Sequence, residues 1–152
     1  QVFISSFQDG LLEINDNVPT IKYDQNNSGL ESINLPGNPN FVSLRLSGLA
    51  FDNNGLLWSI TSLINKPLKS YNPSTNQWSS YDFSNLINNP INDNLGFNKM
   101  VIDPLGTKFI SSFSKGVIGF NENNGSPLLK NISEGANLPD AKEKKSTMDR
   151  DT

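Results

Sequence analysis

Gly48-Leu49-Ala50-Phe51-Asp52-Asn53-Asn54-Gly55-Leu56-Leu57-Trp58-Ser59 reads as a strand, a tight turn and a second strand. Lys99-Met100-Val101-Ile102-Asp103-Pro104-Leu105-Gly106-Thr107-Lys108-Phe109-Ile110 reads the same way. Asp52 matches Asp103, Gly55 matches Gly106 and Trp58 matches Phe109, each at an interval of 51 residues (103 − 52, 106 − 55, 109 − 58). The Asp-x-x-Gly spacing has a mechanical reason: an Asp carboxylate accepts backbone N–H groups within a turn, and Gly tolerates the positive φ that closes it. The aromatic residue three places later is then expected to pack between neighbouring units. Two copies in one register are the signature of a repeat architecture.

Outward from these turns the rest of the unit also repeats. After Trp58 come Pro67-Leu68-Lys69-Ser70-Tyr71-Asn72 and Gln77-Trp78-Ser79-Ser80-Tyr81-Asp82; after Phe109 come Gly116-Val117-Ile118-Gly119-Phe120-Asn121 and Pro127-Leu128-Leu129-Lys130. Each segment is short, apolar or alternating, and bounded by Asn, Gly or Pro, which is strand punctuation. The N-terminal region joins the register: Phe3-Ile4-Ser5-Ser6-Phe7 returns as Phe109-Ile110-Ser111-Ser112-Phe113, Gly10-Leu11-Leu12-Glu13-Ile14-Asn15 matches the Gly116 strand, and Pro19-Thr20-Ile21-Lys22-Tyr23 supplies another. No segment sustains a 3.6-residue period, so little or no helix is expected. The expected fold is all-β: a partial β-propeller of about three four-stranded antiparallel blades, at about 1–25, 42–83 and 98–132, the first lacking its innermost strand. A complete propeller has roughly 4–8 blades, and the chain opens in mid-strand at Gln1-Val2-Phe3. Residues 1–140 therefore read as a propeller fragment, with a processed mature terminus at Gln1 as the alternative. Residues 141–152 are charged, lack the means to bury a core and are expected to be disordered.

Composition narrows the function. The 152 residues carry 12 Lys+Arg against 15 Asp+Glu, a net charge of −3, so no basic surface for nucleic acid is expected. No apolar run approaches the roughly 18 residues of a membrane span. With no Cys and no His, disulfides, thiol nucleophiles, cysteine-bound zinc and His-based triads are excluded from this stretch. Asp24-Gln25-Asn26-Asn27-Ser28-Gly29 looks like the start of a calcium loop, but the twelfth position holds Leu35 where a bidentate carboxylate is required. An Asn/Gly-rich turn is the better reading, and Asn92-Asp93-Asn94 has too few carboxylates to argue a site. No metal and no cofactor are expected. Trp58 and Phe109 are expected between blades, and Trp78 and Tyr81, on an outermost strand, are expected to be partly exposed. Asp52 and Asp103 repeat with the turns, and Ser5-Ser6 and Ser111-Ser112 have no base to activate them, so no catalytic residues are expected and the protein reads as a non-enzyme. Asn26-Asn27-Ser28 and Asn131-Ile132-Ser133 fit the glycosylation sequon, as chance allows in so Asn-rich a chain.

A ligand surface is expected on the face that carries the long connections between blades, about residues 26–40 and 84–97, because long ordered loops carry function more often than short ones. The loops between second and third strands on that face hold Asn65-Lys66 and Ser114-Lys115. These four are the candidate ligand-binding residues, suited to an anionic polysaccharide; plain solvated lysines are the alternative.

The unit Gly48–Trp58 resembles the two-component-regulator propeller repeat, which builds extracytoplasmic sensors of hybrid two-component systems. The longer context resembles the PorZ-like surface proteins of the Bacteroidetes type IX secretion system. It does so through Ile4-Ser5-Ser6-Phe7, Gly10–Asn15, Asn27–Ser32, Ser47–Asp52, Lys66–Lys69 and Gly135-Ala136-Asn137-Leu138-Pro139-Asp140. That resemblance covers roughly residues 2–140 and ends at the charged tail, where a further blade should open. It implies an exported, non-enzymatic binding and assembly module at the cell surface or in the periplasm of a Gram-negative bacterium. Its partners would be anionic lipopolysaccharide, other blades or surface secretion proteins. The alternative is the ligand-sensing propeller of a sensor histidine kinase.

Overall fold

The computed structural model describes residues 1–86 and 96–132. The 141–152 tail, Gly135–Asp140 and Asn92-Asp93-Asn94 lie outside the described residues. Three antiparallel sheets follow one another along the chain. Sheet 1 contains β1 (Val2–Ser6), β2 (Gly10–Asn15) and β3 (Val18–Tyr23), in that order. Sheet 2 contains β4 (Leu46–Phe51), β5 (Leu57–Thr61), β6 (Leu68–Asn72) and β7 (Gln77–Tyr81). Sheet 3 contains β8 (Phe97–Ile102), β9 (Lys108–Ser112), β10 (Val117–Asn121) and β11 (Leu128–Asn131), with a short 3-10 turn at Asn123–Gly125. The expected first unit of three strands followed by two units of four is what the described residues form.

Local chemistry sets the strand ends. Asp52 Oδ1 accepts the N–H groups of Asn54 (2.8 Å) and Leu56 (3.0 Å), and Gly55 takes φ 79°. Asp103 Oδ1 accepts those of Leu105 (2.9 Å) and Thr107 (2.8 Å), and Gly106 takes φ 84°. The two turns are therefore one device used twice, as their spacing predicts. The β2–β3 hairpin closes on Asp16 and Asn17, both at positive φ (50° and 64°), the two-residue turn whose twist suits paired strands. Pro19 sits in β3, the outer strand of sheet 1, where its missing N–H costs no ladder bond.

The pairing registers align the three sheets residue by residue. Phe3 lies opposite Glu13, Trp58 opposite Ser70 and Phe109 opposite Gly119. Alternation then sends successive side chains of β5 to opposite faces. Leu57 joins Leu11, Tyr23, Leu30, Leu44, Leu46 and Tyr71 in a cluster shared with sheet 1. Trp58 joins Ile60, Phe83, Phe97, Met100, Ile118 and Phe120 in a cluster shared with sheet 3. Sheet 2 is covered on both faces, which is why all five residues of β5 are buried. Next to it, β4 runs beside β8, with Gly48 pressed against Ile60 and Met100. A fully buried aromatic between sheets is observed at Trp58; Phe109, at the same register in sheet 3, is half-buried on the face turned away from sheet 2.

Candidate functional site

A polar cleft of about 340 Å³ opens where sheets 2 and 3 meet. Its walls are the β4–β5 turn at Asp52-Asn53-Asn54, the β8–β9 turn at Pro104-Leu105-Gly106, and the β10–β11 connection from Asn121 to Asn124. The turns are rigid because each is tied by its own Asp. They are also tied to each other, Asn53 Nδ2 donating to the Pro104 carbonyl at 3.4 Å. Asn121 Nδ2 donates to Thr107 Oγ1 (3.0 Å) while Asn121 Oδ1 accepts the Asn123 N–H (2.8 Å), which fixes the third wall.

The floor carries a buried lysine. Lys108 is only 1 % exposed, and its Nζ lies 3.7 Å from the centroid of the Trp58 ring and donates to Glu122 Oε2 at 2.6 Å. The Trp58 indole N–H in turn donates to Asp52 Oδ2 at 2.8 Å. The cation is thus neutralised by one carboxylate, from the β10–β11 connection, and one π-face, from β5 of the neighbouring sheet. What the cleft offers to solvent is Asp52, the half-exposed Glu122 and a row of Asn amides.

The residues expected from sequence to bind a ligand lie elsewhere. Asn65 and Lys66 are exposed in the β5–β6 connection; Ser114 is exposed and Lys115 half-buried in the β9–β10 connection. Leu68, opposite Ile60 of β5, and Val117, opposite Ser111 of β9, hold one register position, so Lys66 and Lys115 each stand two residues before equivalent strand positions. The Asn65 carbonyl accepts the Phe83 N–H at 3.0 Å. Asp82, whose carboxyl is held below the usual range by hydrogen bonds from Ser84, is also lowered by the charge of Lys66. Lys115 lines a niche of about 90 Å³ with Leu86, Ile118 and Asn131.

Of the two long connections, the one at about 26–40 is a packing element. Leu30 and Ile33 are buried, and Glu31 reaches the fully buried Lys69 Nζ, which also donates to Ser80 Oγ at 2.9 Å. Burial pulls the Lys69 pKa down, and Glu31 only partly restores it. Asp24 Oδ1 accepts the Asn26 N–H and Asn27 Oδ1 accepts the Asp24 N–H, both at 2.8 Å, so the stretch that looked like a calcium loop is a turn closed on itself. Trp78 and Tyr81 are partly exposed, as expected of an outermost strand, and both also pack: Trp78 stacks on Tyr71 at 4.5 Å and Tyr81 on Trp58 at 5.2 Å.

A second buried polar group bridges sheets 1 and 2. Tyr23 donates to Glu13 Oε2 at 2.6 Å and its hydroxyl meets that of Tyr71 at 2.8 Å. Gln1 and Asn15 donate to Glu13 Oε1 at 2.8 and 2.7 Å. The Tyr23 bond and the two amides hold the Glu13 carboxyl below its ordinary range against the opposing effect of burial, and burial and Glu13 push the Tyr23 phenol up. The arrangement is a hydrogen-bonded brace between sheets.

One solved structure shares this arrangement of sheets. It is that of PorZ, an essential bacterial surface component of the type-IX secretion system of Porphyromonas gingivalis, and it matches with a TM-score of 0.68 at 24% identity. The match covers 84% of this chain and 17% of the PorZ chain, so the chain spans about a sixth of PorZ's length. The likeness establishes a shared fold. No protein-family model matches the sequence, and no curated protein matches it.

Proposed function

We propose that the three sheets are successive blades of a β-propeller belonging to an exported surface protein, and that they serve as a non-enzymatic binding and assembly module of a type IX secretion apparatus. The observation that carries this reading is the shared register. Phe3, Trp58 and Phe109 occupy one position in three consecutive sheets, and Trp58 of sheet 2 packs on Phe120 of sheet 3 (6.1 Å) as Phe3 of sheet 1 packs on Tyr71 of sheet 2 (6.1 Å). Units that stack through one repeated aromatic contact make a radial array. The fold shared with a part of PorZ supports the placement at the cell surface. In this reading sheet 1 is a three-stranded blade whose β1 edge is open to pairing with a further strand.

The exposed Lys66 and the half-buried Lys115, with Asn65 and Ser114, are the proposed contact for an anionic lipopolysaccharide on the face opposite the cleft. The test is made on the whole protein that contains this chain. Protease treatment of intact cells should degrade it, and deletion of its gene should leave type IX cargo unattached to the surface. Protection inside the cytoplasm, or normal cargo display without the gene, would overturn the secretion reading. Membrane retention with a kinase domain attached would instead identify a sensor. Unchanged binding of anionic polysaccharide after the double substitution Lys66→Ala/Lys115→Ala would remove the lysine pair alone.

A further inference from the structure

We infer that the cleft between the β4–β5 and β8–β9 turns is a binding site for an uncharged, hydroxyl-rich ligand of the size of one or two sugar rings, on the face opposite Lys66 and Lys115. This goes beyond the secretion reading and does not depend on it.

Size and shape come first. A volume of about 340 Å³ lies at the small end of ligand pockets, which run from about 300 to 1,000 Å³. The walls are pre-formed, since both turns are closed by Asp carboxylates and joined through Asn53. Little ordering is left for a ligand to impose.

The lining chemistry selects the ligand. Asp52 keeps its negative charge while accepting three N–H donors, and Lys108 is engaged by Glu122 and the Trp58 ring, so no bare cation is available. Lys108 is too deeply buried to meet a ligand, and the charges facing the opening are the carboxylates of Asp52 and Glu122. An anionic ligand would therefore be repelled. A bare metal ion is also a poor fit, because no group of three or more acidic side chains gathers among the described residues. What remains are the side-chain amides of Asn54 and Asn124, both exposed and neither engaged in a hydrogen bond within the described residues. Each offers a donor and an acceptor, as a sugar hydroxyl does. Leu105, 74 % exposed, and Pro104 beside it give an apolar shelf on the same rim, suited to the C–H face of a pyranose. Amides for hydroxyls, a shelf for the ring face and no accessible cation define a neutral glycan.

The test uses the full 152-residue chain labelled with ¹⁵N, titrated with neutral probes (N-acetylglucosamine, mannose and galactose oligosaccharides) and, separately, with heparin. A neutral saccharide should shift the amide signals of residues 52–56, 104–107 and 121–125. Two variants should each weaken its binding about tenfold or more, the equivalent of about 1.4 kcal/mol: Asn54→Ala with Asn124→Gly, which keeps the positive φ at position 124 (52°), and Leu105→Ser. Neither touches a turn-closing bond, and unchanged signals from sheet 1 report an intact fold. The inference is overturned if no neutral probe shifts these signals at millimolar concentration, if the variants bind as the parent does, or if heparin proves to occupy this cleft. Loss of binding to Lys66→Ala/Lys115→Ala would concern the opposite face and leave the cleft unaffected.

Discussion

Replacing Trp58 probes the contact that joins sheets 2 and 3. The side chain is fully buried, stacks on Tyr81 at 5.2 Å and 26°, touches Phe120 at 6.1 Å, lies under Lys108 and donates to Asp52. Trp58→Ala removes all of this and should cost about 3–5 kcal/mol from the cavity and lost transfer energy, with a further cost of about 0.5–2 kcal/mol because Lys108 loses its π-face in a desolvated place. A domain of this size has about 5–15 kcal/mol in total, so the variant should be close to unfolding. Trp58→Phe is the informative step, because Phe stands at this register in sheets 1 and 3. It keeps a ring between the sheets and loses the indole N–H to Asp52. That bond has a charged acceptor, worth about 1.5–3 kcal/mol when shielded, but Asp52 is partly solvated, so about 1–2 kcal/mol is expected. Urea denaturation followed by far-UV circular dichroism gives both numbers without relying on the fluorescence of either tryptophan. A double-mutant cycle with Lys108→Met isolates the cation–π contact. A Trp58→Ala midpoint equal to that of the parent would refute the inter-sheet role, and a Trp58→Phe cost as large as that of Trp58→Ala would refute the claim that the position needs only an aromatic ring.

Lys69→Leu should leave stability unchanged or raise it by about 1–3 kcal/mol, because a buried charge gives way to an apolar side chain and Glu31 is left half in water; a loss above about 1 kcal/mol in urea would show that the ion pair stabilises the fold. Glu13→Gln should destabilise near neutral pH and match the parent in acid. The Glu13 pKa is lowered in the folded state, so its contribution is present above the ordinary value of 4.5 and is lost as pH falls through the depressed value; a stability gap that stays constant from pH 7 to pH 3 would contradict the brace. Gly10→Ala should cost about 1–3 kcal/mol or more, since φ is +102° and a Cβ there would collide with the Tyr23 carbonyl and Leu44. Gly55→Ala, also at positive φ but in open space, should cost less; equal thermal shifts for the two would count against the close approach.

The sheets were legible because their turns are built from residues with one conformational use. Asp52 with Gly55 and Asp103 with Gly106 close identical turns, and that identity alone aligns β4–β5 with β8–β9. The loop at about 26–40 was less legible. Its Asn, Gly and Pro residues describe the turns correctly, but Leu30 and Ile33 are isolated apolar residues with no periodic partner. Only the neighbouring strands show that Leu30 seals the cluster between sheets 1 and 2 and that Ile33 is buried as well. Trp78 is partly exposed on its outer strand, as expected, but its stacking on Tyr71 and its closure against Gly29 depend on residues outside its own strand.

The cleft escaped sequence reading for a more general reason. The repeat gives Asp52 a structural task, and it performs that task, so nothing in the sequence points to the same turn also forming a wall. Lys108 misleads in the opposite way. A lysine in a strand signals a solvated face, but its register partner in sheet 2 is Leu57, a core residue. The position is an inward one, and the lysine survives there because Trp58 of the preceding sheet and Glu122 of the next connection supply a ring and a carboxylate. The signal that could have found it is the repeat itself: a charged residue aligned with an apolar one must either be paired or be expelled. Lys69, aligned with Ile118 in sheet 3 and Leu12 in sheet 1, obeys the same rule through Glu31. In a repeat protein, then, the positions that break the pattern of their equivalents mark where neighbouring sheets have built something between them, and Lys108 marks the floor of the cleft.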